Sequence, residues 1–393
     1  MGLEGINIGI PLEIMVGEKR VAAVPATVEQ MVSAGARVVV QAGAGQGAFL
    51  DDQEYRQAGA EIIEDARELY RQADLILKVK EPQPNQETGI HEAEMLKEGS
   101  KLVCFLHPAH PLNHSLVKKL AERGVTSFTL DGVPRISRAQ KMDCLTSMST
   151  VAGYKSVIFA AYHLARFIPM MPTSLGMIKP ARFLVVGTGV AGLQALAMAK
   201  RMGAQVKALD IRPEASEQAG SLGAENIPFD VPRELAIGEG GYALRLPEEW
   251  YQREREVLAD HVAESDAVIL TALIPGEEAP VLVDEPMVKK MRPGSVVVDM
   301  AIDQGGNCSL TNYGEEYTYD GVMISGIMNI PATLAVDATW MFAQNAWQFV
   351  QYLLQDGKLN TDTDDEIIKS TLVTHQEEII HQGTLKAMEK ENR

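Results

Sequence analysis

The stretch that decides the fold is "ARFLVVGTGVAGLQALAMAKRMGAQVKALDIRPE", residues 181–214. Its first apolar run ends in Gly187, and Gly189 and Gly192 complete the spacing GxGxxG, in which x is any residue. A helical pattern follows, and a second apolar run ends at Asp210. The spacing alone would be weak, but strand, glycine turn, helix, strand and terminal acid together form the unit that binds dinucleotides. The sequence therefore predicts a dinucleotide site here, and not only a glycine turn in an α/β domain.

Each residue of this unit has a physical task. Gly187 permits a tight turn, Gly189 lets the backbone approach a pyrophosphate, and Gly192 lets the helix pack closely on the strand. Free N–H groups at the helix N-terminus attract the phosphates. Asp210 would accept hydrogen bonds from ribose hydroxyls and would repel a 2′-phosphate, which favours NAD(H) over NADP(H). Arg212 works against that preference, because an arginine at this place can accommodate a 2′-phosphate.

Runs of strand type alternate with helical patterns along most of the chain. The first series of runs lies at 6–11, 36–43, 73–80, 101–109 and 125–130, and the second at 181–189, 204–210, 266–272, 294–301 and 321–326. This alternation is typical of α/β proteins with parallel sheets.

Two long helical patterns, at 140–168 and 331–357, flank the second series. We therefore expect two Rossmann-like domains joined by long helices. The first would comprise 1–140 and 340–393, and an inserted NAD(H)-binding domain would comprise 141–339. The segment near 230–250 has glycines among charges and no clear period, and a loop of this length is usually functional or mobile.

Composition excludes several classes of protein. The 393 residues carry a net charge of −17, which disfavours nucleic acid or an anionic membrane surface as a partner. No run is long and apolar enough to suggest a membrane span. Cys104, Cys144 and Cys308 lie far apart without a CxxC pair, so neither a disulfide framework nor a metal site is expected. These features favour a cytoplasmic protein.

Four polar residues stand at or after runs of strand type, namely Arg20, Lys80, His107 and Asp303. Ligands of open α/β sheets bind at the carboxyl ends of the strands. Arginine suits a carboxylate, a second cation polarises a carbonyl or imine, histidine moves protons near neutral pH, and a carboxylate orients water. Burying these groups together costs desolvation free energy unless they are paired or liganded, so the set indicates an anionic ligand with a carbonyl. Taken singly, each is more often a surface or structural residue.

The chain resembles the family that unites alanine dehydrogenases with the NAD(H)-binding α subunit of proton-translocating nicotinamide nucleotide transhydrogenases. The resemblance extends over nearly the whole chain and rests, beside the glycine motif, on GIPLEIMVGEKRVAAVPATV (9–28), GAGQGAF (43–49), PRISRAQKMD (134–143), AGYKSV (152–157), TALIPGEEAPVLV (271–283), MRPGSVVVD (291–299) and GGNC (305–308). It implies a discontinuous two-domain subunit with NAD(H) in the cleft between the domains, assembled as a homodimer or a larger homo-oligomer.

Several segments resemble the transhydrogenase branch. The loop PRISRAQKMDCLTS is similar to the one that holds the nicotinamide there, which would give cofactor-positioning roles to Arg135, Gln140 and Asp143. GEGGYALRL (238–246) is similar to the mobile loop of transhydrogenases, with Tyr242 matching its tyrosine. This branch implies membrane-bound and NADP-binding partner subunits, through which the chain would sit on the inner face of the membrane. The resemblance places further cofactor contacts at Val190, Thr271, Ala272, Leu273 and Asn329.

The residues of the polar set resemble the dehydrogenase branch instead. Alanine dehydrogenases have a catalytic aspartate in AIDQGG, whereas transhydrogenase subunits commonly lose it, together with the Lys of KVKEP and the His of LHPA. This chain keeps all of them. By resemblance, Arg20 and Lys80 would bind the carboxylate and carbonyl of a small amino or 2-oxo acid, His107 would be the acid/base, and Asp303 would assist at the reacting carbon.

The sequence therefore favours a soluble α1-type transhydrogenase subunit that passes hydride between NADH and NADP on a partner. It leaves two alternatives open. One is an NAD-dependent amino acid dehydrogenase, and the other is a non-catalytic NAD-sensing or docking protein.

Overall fold

The computed structural model describes residues 2–238, 241, 243–274, 277–355 and 358–391. It divides into two compact units, one of Met1–Met148 with Ala332–Arg393 and one of Ser149–Pro331. The first division falls inside the helix Cys144–His163, and the second falls just before the helix Ala335–Leu353. The sequence placed the divisions at 140 and 340, because a long helix carries no turn signal that would mark where one unit ends.

The first unit is built on an eight-stranded sheet. Its spatial order is Glu378–Ile379, Leu372–His375, Thr126–Thr129, Lys101–Cys104, Leu75–Leu77, Asn7–Ile10, Arg37–Gln41 and Glu61–Ile63. The two C-terminal strands are antiparallel and the other six are parallel. The parallel strands follow the order 3-2-1-4-5-6 of doubly wound folds, in which the order reverses between the first strand and the fourth. The crevice at that reversal lies just beyond Ile10 and Leu77.

Helices pack on both faces of this sheet and enclose an apolar core that includes Val39, Leu69, Ile76, Leu102 and Val117. A capping box starts one helix, since the Asp51 carboxylate accepts from the Glu54 N–H and the Glu54 carboxylate accepts from the Asp51 N–H. The helices are Pro25–Ser33, Asp52–Gln57, Ala66–Gln72, Glu92–Met95, His114–Glu122, Ala335–Leu353, Glu366–Thr371 and Gln382–Glu391, together with the start of Cys144–His163.

The second unit is built on a seven-stranded sheet with the same winding. Its order is Glu225–Asn226, Gln205–Leu209, Arg182–Val186, Ala267–Leu270, Val296–Asp299, Val322–Ser325 and Glu316–Tyr319, and only the last strand is antiparallel. Alternate residues of the central strand enter separate cores, Leu184 and Val186 in one and Phe183 and Val185 in the other. A sheet buried on both faces explains why its strands read as continuous apolar runs. The predicted α/β fold with parallel sheets is confirmed.

The helices of the second unit are Val190–Arg201, Pro213–Ser221, Arg233–Ala236, Glu248–Glu264 and Glu285–Val288, with the remainder of Cys144–His163. A hairpin of Met171–Thr173 and Gly176–Ile178, which the sequence did not predict, stands apart from the large sheet. In its described residues, the segment predicted as a mobile loop forms the short helix Arg233–Ala236 and the start of Glu248–Glu264. Across the described ranges, no helix is long and apolar enough to cross a membrane.

Candidate functional site

The glycine-rich turn lies at the carboxyl end of the strand Arg182–Val186. Gly187 has a φ of 86°, in the left-handed region that favours glycine. A Cβ on Gly187 would lie 2.9 Å from the backbone nitrogen of Ala272, and a Cβ on Gly192 would lie 2.0 Å from the carbonyl oxygen of Gly187. Glycine is therefore required at both positions by close backbone packing.

Gly189 differs, because the space beside it is open. A Cβ there would meet only the Arg212 guanidinium, with Nη2 at 3.9 Å. Gly189 is the N-cap of the helix that begins at Val190, and it supplies no side chain to the N–H groups of the first turn. Open space at a helix N-terminus suits the pyrophosphate of a dinucleotide. The predicted contacts Gly187, Gly189, Val190 and Gly192 thus lie together at one helix N-terminus, and their role in holding a phosphate stays a prediction.

The Asp210 carboxylate, which the sequence assigns to the ribose, is held firmly by its neighbours. The Thr188 N–H donates to Oδ2 at 2.6 Å, and Arg212 donates from Nε to Oδ1 at 2.9 Å and from Nη2 to Oδ2 at 2.7 Å. Burial lowers the pKa of Arg212, but the bonds to Asp210 raise that pKa above its ordinary value. Asp210 thus neutralises Arg212, and the predicted contact of Asp210 with a ribose stays a prediction.

The loop after the strand Ala267–Leu270 lies beside the same turn. Thr271 Oγ1 donates to the Gly187 carbonyl at 2.7 Å. The fully buried Asn307 accepts from the Ala272 N–H and donates to the Ala272 carbonyl, both at 2.9 Å. Leu273 follows and is partly exposed. The sequence did not single out Asn307, although it belongs to the GGNC motif.

Two predicted site residues have strained backbones. Six described residues other than glycine have a positive φ, and these include His107 at 43° and Asn329 at 49°. Such conformations cost free energy and concentrate at functional sites. Asp303 lies exposed on the short 3₁₀ helix Ile302–Gln304 of the second unit.

Arg20 forms a buried ion pair with Glu18. Nε donates to Oε1 at 2.8 Å and Nη2 donates to Oε2 at 2.6 Å, and the side chains are only 2% and 0% exposed. The sequence predicted that Arg20 would bind the carboxylate of a substrate, but in this structure Arg20 binds the carboxylate of Glu18. A role of Arg20 in holding a substrate stays a prediction.

Lys80 stands at the reversal of strand order in the first unit. Its backbone N–H lies 3.4 Å from Glu13 Oε2, and the neighbouring Val79 N–H donates to Glu13 Oε1 at 2.6 Å. The ammonium group of Lys80 has neither a hydrogen bond nor an ion pair with any residue that the structure describes. Glu13 therefore holds the backbone of this loop and leaves the Lys80 side chain available to a ligand.

A buried network of charged residues, to which Glu13 belongs, stabilises this loop. Lys78 Nζ lies 3.3 Å from Glu13 and 2.9 Å from Glu92, and the Tyr70 hydroxyl donates to Glu92 at 2.9 Å. Burial raises the pKa of Glu13 to about 7, although Lys78 opposes that rise. This network was not predicted from the sequence. Its members in the sequence motifs are Glu13, the last residue of GIPLE, and Lys78, the first residue of KVKEP.

His107 has a carboxylate partner that the sequence did not reveal. Its Nδ1 lies 3.4 Å from Asp131 Oδ2, and its ring stacks on Phe105 with centroids 5.9 Å apart. Removal from water lowers the pKa of His107, but Asp131 raises it more, so the net shift is upward. Burial alone would raise the pKa of Asp131, yet His107 and the Thr129 hydroxyl lower it below its ordinary value. A carboxylate that orients a histidine and stabilises its charged form suits acid/base chemistry.

The predicted nicotinamide loop lies in the first unit. Arg135 and Gln140 are exposed, whereas Asp143 is buried and caps the helix Cys144–His163 by accepting from the Thr146 N–H at 2.8 Å and the Thr146 hydroxyl at 2.6 Å. Tyr242 lies outside the described residues. Within those residues, no cluster of three or more His, Cys, Asp or Glu side chains could hold a metal ion.

Comparisons with known proteins identify the family of the chain. A family model described as "Alanine dehydrogenase/PNT, N-terminal domain" matches residues 9–152, and the corresponding C-terminal model matches residues 156–382. An NAD(P) transhydrogenase alpha-subunit protein of Rhodospirillum rubrum is 43% identical over 96% of this chain and 98% of its own length. An alanine dehydrogenase of Methanococcus maripaludis is 31% identical over 97% and 96%.

Among solved structures, a transhydrogenase from Sinorhizobium meliloti matches with a TM-score of 0.82 at 38% identity, over 95% of this chain and 100% of that one. The family models cover both units, and the relatives match over nearly their whole length. The family resemblance predicted from the sequence is confirmed, and the chain belongs to the alanine dehydrogenase/PNT family.

Proposed function

We propose that this chain is the NAD(H)-binding subunit of a nicotinamide nucleotide transhydrogenase, and that it passes hydride between NADH and NADP held by a partner chain. The observation that carries the proposal is the 43% identity to the Rhodospirillum rubrum transhydrogenase protein over 98% of that protein. Identity to the alanine dehydrogenase relative is lower, at 31%. The chain is an NAD(H)-dependent oxidoreductase in either case.

The geometry of the second unit supports this function. Gly187, Gly189 and Gly192 form a phosphate cradle, and Asp210 neutralises Arg212, so the site favours a dinucleotide without a 2′-phosphate. An NAD(H)-binding transhydrogenase subunit must select NADH over the NADP(H) that its partner binds. Direct hydride transfer between two nicotinamide rings depends mostly on their juxtaposition, so rigid cofactor binding is the main task of this chain.

Isotope transfer tests the proposal. The purified chain, deuterated NADH and NADP⁺ would be combined with and without an NADP-binding transhydrogenase subunit, and NADPH would be analysed by mass spectrometry. Deuterium in NADPH only when the partner is present is the expected result. Confirmed NADH binding without any label transfer would contradict the proposal.

A second candidate, an NAD-dependent amino acid dehydrogenase, is favoured by the pair of His107 with Asp131 and by the unpaired ammonium of Lys80 among the described residues. It predicts that the chain alone forms NADH from NAD⁺ and L-alanine or another small amino acid, as followed by near-ultraviolet absorbance. His107→Ala and Asp303→Asn would abolish this activity while NADH binding persists. Absence of NADH formation with every amino acid tested would remove this candidate.

The remaining expectations concern assembly. Partner subunits would keep the chain at the inner face of the membrane, and the chain would form a homodimer or larger oligomer, which sedimentation of the purified protein would reveal. A chain that binds NADH tightly but reacts in neither assay would be a non-catalytic NAD-sensing or docking protein.

A further inference from the structure

A buried ammonium group joins two carboxyl groups at the crevice of the first unit. The side chains of Lys78, Glu13 and Glu92 are no more than 2% exposed, and Lys78 Nζ lies 3.3 Å from Glu13 Oε2 and 2.9 Å from Glu92 Oε1. Burial of three ionisable groups costs desolvation free energy, and well-packed apolar side chains often give equal or greater stability at such places. Stability alone therefore does not explain why these groups lie together.

Glu13 holds the backbone that leads to Lys80. Its Oε1 accepts from the Val79 N–H at 2.6 Å, and its Oε2 accepts from the Lys80 N–H at 3.4 Å. Glu13 itself follows the strand Asn7–Ile10, next to the strand Leu75–Leu77 from which Val79 and Lys80 continue. One carboxyl group thus ties the two chain segments that leave the sheet on either side of the reversal in strand order.

Glu92 holds the far end of the same segment. Its Oε2 accepts from the Gln83 N–H at 2.8 Å, and its own N–H donates to the Gln83 carbonyl at 2.9 Å. The Tyr70 hydroxyl donates to Glu92 Oε1 at 2.9 Å, which fixes this carboxylate in turn. Because Lys78 contacts both carboxyl groups, residues 79–83 are tied at their two ends to one buried cluster.

The tied segment presents one cation to the crevice where doubly wound sheets bind ligands. The Lys80 ammonium has neither a hydrogen bond nor an ion pair with any described residue. The N–H groups of Val79, Lys80 and Gln83 are engaged by the two carboxyl groups, and Pro82 has no N–H. A phosphate is usually bound by several free backbone N–H groups, which this segment does not offer. A single ammonium on a fixed segment suits a small carboxylate better.

We propose that Glu13 and Glu92, joined through Lys78, are positioning residues that fix residues 79–83 and so place the Lys80 ammonium to bind a small carboxylate ligand. The inference goes beyond the transhydrogenase function, because it concerns the first unit and requires no dinucleotide. A segment that is fixed before binding loses less conformational entropy when the ligand arrives. Glu13 acts on the ligand only through this segment, so its loss should weaken ligand binding without removing the cation.

Protection of Lys80 from acetylation tests the proposal on the full chain. The probe is oxamate, which carries a carboxylate beside a carbonyl and cannot form an imine with lysine. Acetylation by acetic anhydride would be followed by peptide mass spectrometry at constant pH and ionic strength. Oxamate should slow acetylation of Lys80 in a saturable way and leave Lys290, an exposed lysine of the second unit, unchanged.

Variants of Glu13 separate positioning from packing. In Glu13→Leu the oxamate concentration for half-maximal protection should rise on the order of tenfold, because a hydrogen bond that orders the segment is lost. Glu13→Gln keeps an oxygen that can accept from the Val79 N–H, so it should restore most of the protection. Glu94→Gln, which removes an exposed carboxylate from the short helix Glu92–Met95, should behave as the native chain does.

Lys78 keeps its pair with Glu92 in Glu13→Leu, so no uncompensated charge remains buried. Should this variant nevertheless not fold, Glu13→Met takes its place, because the flexible methionine side chain fills irregular gaps. Absence of oxamate protection in the native chain overturns the inference, and so does native protection in Glu13→Leu. Inorganic phosphate that protects Lys80 as well as oxamate does would overturn the assignment to a carboxylate. The transhydrogenase proposal stands in each of these cases, since isotope transfer tests it separately.

Discussion

One methyl group added at either of two glycines should separate folding from nucleotide binding. In Gly192→Ala the new Cβ would lie 2.0 Å from the Gly187 carbonyl oxygen and 3.3 Å from Thr271 Oγ1. That carbonyl must move, although it accepts a hydrogen bond from Thr271 at 2.7 Å. Overpacking of this kind costs about 1–3 kcal/mol, and a lost hydrogen bond costs about 1 kcal/mol more. Gly192→Ala should therefore destabilise the second unit by about 2–4 kcal/mol.

Gly189→Ala should behave in the opposite way. Gly189 has a φ of −69°, which alanine adopts freely, and the nearest atom to a new Cβ is 3.9 Å away. The free energy of unfolding should change by no more than about 0.5 kcal/mol. The methyl group would nevertheless stand where the pyrophosphate must approach the backbone, so NADH affinity should fall about tenfold or more, which is about 1.4 kcal/mol.

Thermal unfolding and NADH titration of the two variants provide the test. For a domain of this size, 1 kcal/mol shifts Tm by about 2–4 °C, so Gly192→Ala should lower Tm by about 4–16 °C. Gly189→Ala should keep Tm within about 2 °C of the native value and bind NADH about tenfold or more weakly. Equal destabilisation by both variants, or native NADH affinity in Gly189→Ala, would refute this interpretation of the turn.

Three further predictions concern single side chains. In Asp131→Asn the pKa of His107 should fall, which NMR titration of the ring would report. Because the pKa of His107 is raised and that of Asp131 is lowered, the ion pair stabilises the fold between about pH 4 and the raised pKa of His107. The variant should therefore lose more Tm at pH 5.5 than at pH 9. The pKa of Glu13 is raised to about 7, so the folded state keeps a proton that the unfolded state loses, and the free energy of unfolding falls as pH rises through about 5–7. Glu13→Gln should flatten that part of the curve of unfolding free energy against pH. An unchanged slope in this variant would show that Glu13 does not cause the dependence. Asn307→Ala removes two hydrogen bonds to Ala272 and should cost about 1–3 kcal/mol in denaturant unfolding with weaker NADH binding, whereas native values for both would show that the loop needs no such support.

The central parallel strands could be predicted from sequence because burial on both faces leaves a continuous apolar run. The short parallel edge strands Glu61–Ile63 and Glu225–Asn226 were missed, because they are brief and carry exposed residues. The antiparallel strands were missed as well. Glu316–Tyr319 alternates exposed and half-buried residues at a sheet edge, so its pattern is weak. Leu372–His375 pairs with Thr126–Thr129, which lies far away in the sequence, and local sequence patterns do not indicate such a distant partner. The hairpin at 171–178 has few buried residues, which left no periodic pattern to read.

The backbone of the glycine turn could be predicted, because glycines at fixed spacing indicate where the backbone adopts a positive φ or packs closely. The polar residues of the first unit were harder, because what they do depends on which side chains they meet. Glu18 is two residues from Arg20, yet nothing in the sequence states that the pair is buried and bidentate. Asp131 follows the strand Thr126–Thr129 and His107 follows its parallel neighbour Lys101–Cys104, so only the strand order brings the two residues together.

These pairings change the energetic argument for an anionic ligand. The sequence suggested that several charged groups needed an external partner, but Glu18 neutralises Arg20 and Asp131 compensates His107. Within the described part of the chain, Lys80 is the cation of this set that has no such partner, and it stands at the reversal of strand order where doubly wound sheets bind ligands. A single unpaired lysine costs little if water reaches it, so retention of the set does not by itself require a substrate. The decision between the two oxidoreductase functions therefore rests on whether Lys80 and the oriented His107 meet a carbonyl compound, because the nucleotide site serves both functions equally well.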